Sequence, residues 1–150
     1  MTRRRLHLRE RWKLPGRHSD AIAALRWRER VTRDNRARAF LVSLRALLEG
    51  DRDESLHALQ RATDELTDPE AMFYAARTLA RLSAREEALA ALGKVVGGGY
   101  FCCRAFAEDA WFASLKGDAS FEKLVETARA RHEAAHLAFR AAGGDRLLSA

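Results

Sequence analysis

Gly50-Asp-Arg-Asp-Glu-Ser-Leu-His-Ala-Leu59 is one of three blocks in this chain that rhyme. Its partners are Gly16-Arg-His-Ser-Asp-Ala-Ile-Ala-Ala-Leu25 and Ser83-Ala-Arg-Glu-Glu-Ala-Leu-Ala-Ala-Leu92. The first two start 34 residues apart and the last two 33, a period that marks stacked supersecondary units.

Each block reads as a break between two helices and the first turns of the second. Gly16 and Gly50 can take the left-handed backbone that ends a helix, and Ser19 or Asp53 is then placed to cap the next one. The small residue that follows, Ala21, Ser55 or Ala88, marks a close helix approach, and leucine or isoleucine next to it starts one apolar face. The repeated unit is therefore an αα-hairpin.

On these residues the chain resembles the tetratricopeptide repeat (TPR) family, whose 34-residue helix-turn-helix unit serves as a protein-binding scaffold. In that register Ala39, Val42, Ser43, Ala46, Gly50, Ser55, Leu59 and Ala62 fall on signature positions of one repeat. Met72, Ala75, Ala76, Leu79, Ser83, Ala88, Leu92 and Val95 do so in the next. The resemblance implies repeats at about 2–33, 36–67 and 69–100, followed over 101–150 by degenerate helices that cap the solenoid, all in a single domain. The segment Gly97-Gly-Gly-Tyr-Phe101 with Asp109-Ala-Trp-Phe112 also resembles the C-terminal repeat tails of bacterial serine/threonine-kinase-associated or transcriptional-regulator-associated proteins. A kinase glycine loop, an HRD or DFG motif and a DNA-reading helix-turn-helix are all missing from this sequence, so the likeness implies no catalytic role.

Composition agrees with an all-α chain. Alanine, leucine and arginine dominate, only two prolines occur, and no segment alternates long enough for a strand. The pattern predicts helices near 2–13, 19–32, 35–48, 53–66, 69–82, 85–96, 104–115 and 119–142. Gly97-Gly98-Gly99 is the strongest break and reads as a turn or a hinge before the C-terminal helices, since it lacks the lysine and hydroxyl of a phosphate loop.

Charge is uneven: residues 1–50 carry +9 and residues 51–150 carry −3. Arg3, Arg4, Arg5, Arg9, Arg11 and Lys13, with Arg26, Arg28, Arg30, Arg33, Arg36 and Arg38, supply most of the excess around Trp12 and Trp27. Such a surface suits an acidic partner, an anionic membrane or nucleic acid, but no nucleic-acid-reading motif accompanies it. Solvated helix faces explain the arginines more simply, with Trp12 and Trp27 packing into the repeat core. The opening Arg3-Arg4-Arg5 continues into charge rather than an apolar stretch, so it does not read as an export signal. No run of about 18 apolar residues exists, and a cytoplasmic location is the expectation. The initiating methionine is compatible with an independent protein.

Adjacent Cys102 and Cys103 offer no disulfide framework and read as small buried apolar residues near a helix start. His132-Glu133-Ala-Ala-His136 fits H-E-x-x-H, in which two imidazoles one helical turn apart could hold zinc while Glu133 serves as base. A third ligand is not apparent, the metzincin extension is absent, and no strand is available to hold a substrate. A zinc-dependent hydrolase is thus the alternative reading, and a basic nucleic-acid-binding accessory protein the third. The same helix is better used as a cap, with Phe121, Leu124, Val125, Ala128, Ala135, Leu137, Ala138 and Phe139 as its packing stripe.

In TPR proteins the first helices of successive units line a concave groove. The resemblance places Phe40, Leu41, Leu44 and Leu48 of one unit, and Phe73, Tyr74, Arg77 and Arg81 of the next, in such a groove. An apolar floor beside two arginines suits a helix or an extended peptide with acidic residues. The expectation is a noncatalytic protein-interaction module, a regulatory scaffold without cofactor or metal.

Overall fold

A computed structural model describes residues 17–64 and 66–148. The expected first helix, and with it Gly16, lies outside those residues. Among them every regular element is helical: α1 (Arg17–Val31), α2 (Asn35–Glu49), α3 (Arg52–Thr63), α4 (Pro69–Arg81), α5 (Arg85–Gly97), α6 (Cys103–Glu108), a 3₁₀ helix (Ala110–Leu115), α7 (Ala119–Ala141) and α8 (Asp145–Leu148). They fall into two compact units, residues 1–64 and 65–150. The fold is all-α, built from TPR-like αα-hairpins of the solenoid class with separate C-terminal capping helices.

In the first unit α2 packs against both α1 and α3, the consecutive order of stacked hairpins. Ser43 and Ser55 meet where α2 crosses α3, both fully buried, with their hydroxyls 3.2 Å apart. Ser55 Oγ also donates to the Ser43 carbonyl at 2.8 Å, so two polar side chains are satisfied inside an apolar crossing. Ala46, Ala58, Leu59 and Ala62 complete the seam.

The second unit repeats the device with alanine. Ala76 and Ala88, 33 residues after Ser43 and Ser55, are fully buried in the α4–α5 pair, as are Ala75 and Val95. Most signature positions of the repeat are therefore core positions in both units, while Val42 and Leu79 are half-buried and the turn residues Gly50 and Ser83 are exposed. Beyond α5 the chain caps itself with aromatic rings: Phe73 of α4 stacks against Tyr100, Phe106 and Phe112, at centroid separations of 5.1, 5.3 and 5.7 Å, and Phe112 reaches Phe121 of α7 at 5.8 Å. Ser114 Oγ donates to the Ala80 carbonyl at 2.9 Å, and the Arg131 guanidinium donates to the Val96 carbonyl at 2.6 Å. The C-terminal ends of α4 and α5 are thereby each closed by a side chain from the capping segment.

Helix boundaries follow aspartates. Asp34, Asp51, Asp68 and Asp118 each accept N–H bonds at the start of α2, α3, α4 and α7. Two expected caps are corrected: Asp51, not Asp53, caps α3, and Ser19 lies within α1, which begins two residues earlier. The single helix expected over 104–115 is also corrected. Asp109 interrupts it, ending α6 and accepting the Trp111 N–H at 2.9 Å to start the 3₁₀ helix. Gly97 closes α5 and Gly99 takes the left-handed turn, so the triple glycine is a helix terminus inside one compact unit.

Gly50 sits at φ 82° and Ser83, its repeat equivalent, at φ 59°. Both close the same kind of helix end, with Asp51 N donating to the Ala46 carbonyl and Ala84 N to the Leu79 carbonyl, each at 2.9 Å. A side chain in that region costs about 1–2 kcal/mol per residue. Ser83→Gly is accordingly expected to stabilise the chain by about 1 kcal/mol, read as a higher midpoint of denaturation.

Asp118 is also ion-paired with Arg85. Burial opposes its charge, yet the Arg85 guanidinium and the N–H groups of Phe121 and Ser120 prevail, holding its carboxyl below the ordinary 3.8. A carboxylate with a lowered folded value stabilises above its unfolded value and loses that contribution as pH falls through the folded one. Asp118→Asn is expected to flatten the fall of the melting temperature below about pH 4.

Two further corrections concern the C-terminal part. Cys102 is exposed and Cys103 half-buried, because the six-residue α6 starts at the surface and presents its cap residues to solvent. Only the first half of the α7 stripe packs: Phe121, Val125 and Ala128 are buried, while Ala135, Leu137, Ala138 and Phe139 are exposed. The helix simply outruns the body it covers, its 23 residues spanning about 35 Å at 1.5 Å per residue.

Candidate interaction surface

Glu70, Tyr74, Arg77 and Arg81 follow one another at helical spacing along α4, on the side opposite its buried alanines. Pro69 and the Asp68 cap fix the start of this helix, and buried Ala75, Ala76 and Ala80 hold its other face against α5. Tyr74 remains 47% exposed.

Arg77 is the organising residue. Its guanidinium lies 4.7 Å from the Trp111 ring centroid and 5.6 Å from that of Tyr74, between two aromatic faces. Its Nε is paired with Asp109, an ionic contact rather than a well-aligned hydrogen bond, since that nitrogen finds no partner of good geometry. Both partners are mostly shielded, with side chains 26% and 17% exposed. Asp109 thus sets the 3₁₀ start, positions Trp111 by its backbone and neutralises Arg77 at once. The result is an aromatic-and-cation platform with Arg81 exposed at its end.

The sequence-derived groove residues have different environments. Phe73 is 4% exposed and belongs to the aromatic core, because the chain's own α6 and 3₁₀ helix cover it. The ring that α4 offers to solvent is Tyr74. On α2, Phe40, Leu41, Leu44 and Leu48 are all half-buried within their own unit, and the Leu48 carbonyl accepts a 2.8 Å bond from His18. Trp111 and Asp109 were not singled out as site residues in the sequence, although the Asp-x-Trp order of a capped turn was present in it.

His132, Glu133 and His136 all lie exposed on the outrunning half of α7. Among the described residues no group of three or more His, Cys, Asp or Glu is arranged to hold a metal ion, so the histidine pair gains no third ligand there. Arg129 pairs with Glu126 on the same helix, and Arg131 is committed to α5. No described helix is long and apolar enough to cross a membrane.

The first unit holds the densest ionic cluster. Arg45, 14% exposed, is bonded to Glu29 of α1 at 2.9 Å, to Glu49 of its own helix, and to Glu54 of α3 at 2.9 Å. One side chain so ties three helices. Burial opposes the charge of Glu49, but Arg45 and Arg26 outweigh it and hold that carboxyl below its ordinary 4.5.

No family model, no curated protein and no solved structure matches the chain.

Proposed function

We propose that this chain is a noncatalytic protein-interaction module, a TPR-like regulatory scaffold that recognises a peptide or helix through the open faces of its first-of-hairpin helices. The observation that carries the reading is the α4 platform, an exposed Tyr74 beside an arginine immobilised between two rings. Immobilised aromatic and arginine side chains suit recognition because their ordering cost is met before a partner arrives. Arg81 adds an exposed charge suited to an acidic side chain. Burial of most repeat signature positions supports kinship with the TPR class. Half-exposed Phe40, Leu41, Leu44 and Leu48 support a similar role for α2. The likeness of the C-terminal segment to bacterial kinase-associated and regulator-associated tails, together with a cytoplasmic setting, belongs to the same proposal.

Affinity capture from the native cell extract, followed by identification of what co-purifies, is the test. Tyr74→Ala combined with Arg81→Glu is expected to reduce recovery of the captured partner at least about tenfold, with helicity unchanged because both side chains are exposed. Undiminished capture by this variant would refute the assignment of α4. Phe73 is unsuitable for such a test because its replacement would damage the core.

A further inference from the structure

A second surface lies in the first unit, on the outer side of α1. No residue of α1 is buried. Its α2-facing positions, Ala21, Ile22, Leu25 and Glu29, are half-covered, while Ala23, Trp27 and Val31 run along its outer side at intervals of four. Trp27, expected in the repeat core, is instead 53% exposed because it lies on the side of α1 turned away from α2, and Val31 is 48% exposed. Beside this stripe is a dent of about 420 Å³ with Ile22 and Ala23 in its lining and Arg26, Arg30 and Glu49 around it.

Apart from Asp20 in the first turn of α1, the charges around the stripe are one-sided. Glu29 is engaged by Arg45, Glu49 by Arg45 and Arg26, and Asp34 by the start of α2. Arg28, Arg30 and Arg33 have no acidic partner among the described residues, and Arg28 lies 5.9 Å from the Trp27 ring centroid. Three uncompensated guanidinium groups bordering an apolar stripe are complementary to carboxylates bordering another. Val31 and the Ile22–Ala23 lining add aliphatic surface, which a nucleic acid would leave in water and a leucine-faced helix would cover.

We propose that the outer face of α1 docks an acidic amphipathic helix, with Trp27 and Val31 against its apolar side and Arg28, Arg30 and Arg33 against its carboxylates. This surface is separate from the α4 platform and does not depend on it.

The probe is a fluorescein-labelled synthetic helix of about five turns with leucines on one face and glutamates elsewhere, titrated with the full chain and followed by anisotropy. Saturable binding is expected, weakening at least about tenfold with Trp27→Ala and at least about tenfold with Arg30→Glu plus Arg33→Glu. Raised salt should weaken it too, and a lysine version of the same peptide should not bind. Because all three side chains are exposed, circular dichroism should be unchanged; each variant checks the other if one fails to fold. Tyr74→Ala with Arg81→Glu should leave this binding intact. The proposal is overturned if the acidic peptide fails to bind, if binding survives both α1 variants, or if the α4 variant abolishes it. It is equally overturned if Trp27-dependent binding is found to duplex DNA or anionic phosphatidylserine vesicles instead, or if sedimentation shows a dimer that Trp27→Ala dissociates.

Discussion

Replacing Phe112 with alanine is expected to cost about 3–5 kcal/mol. Phe112 is fully buried and touches the rings of Phe73, Phe106 and Phe121, so it joins α4, α6 and α7 through one side chain. Truncation would remove its transfer free energy and leave a cavity that three stiff rings cannot refill. Against a typical domain stability of about 5–15 kcal/mol, that is a large share. Urea denaturation followed by far-ultraviolet circular dichroism checks it. Phe112→Leu should lose distinctly less. A loss under about 1 kcal/mol for alanine would mean that the aromatic cluster is not the core of that unit.

Arg45→Met is expected to cost about 2–3 kcal/mol, which for a chain of this length is about 5–10 °C in melting temperature. Exposed ion pairs contribute little, and this one differs in being mostly shielded and in serving three carboxylates at once. Removing the cation leaves Glu29 and Glu54 without this partner and Glu49 with Arg26 alone. The sign of the pH dependence follows. Because the Glu49 carboxyl is held below 4.5, the contribution of the cluster is present above that value and is lost as pH falls through the lowered one. The gap between Arg45→Met and the parent should therefore be widest near neutrality and should narrow below about pH 4. A gap constant with pH would show that lost packing of the arginine stem, not charge, is responsible.

Much of the fold was legible because it is written in short-range signals. The Gly50 turn, the small residues at Ser55 and Ala88, and the leucines after them identify hairpins from spacing alone, and the helices from 35 to 97 appear close to where that spacing puts them. Caps were less legible, since Asp51 and Asp53 are chemically equal candidates and only backbone direction selects Asp51. The break at Asp109 was hidden in a continuous helical pattern, where a single aspartate can be either a surface residue or a stop. Periodicity also could not show where packing ends. The apolar stripe of α7 continues to Phe139, but the body beneath it does not.

The candidate site was legible only in part for a different reason. Tyr74, Arg77 and Arg81 emerge from register on one helix, whereas the partners that fix Arg77 arrive from Asp109 and Trp111, more than thirty residues later. No local pattern announces that meeting. Phe73 and Tyr74 are adjacent aromatics, and which of them faces inward depends on the capping segment that arrives from downstream. The same dependence on distant chain explains the cysteines, whose exposure is set by the shortness of α6.

Within each unit, hairpin helices follow one another in sequence order, each covering the apolar face of its neighbour. Side-chain nuclear Overhauser contacts within residues 17–64 test it most directly. Contacts are expected from α2 to both α1 and α3, including the Ser43–Ser55 crossing, without a continuous run between α1 and α3. Extended α1–α3 packing, the sign of a closed three-helix bundle, would contradict it.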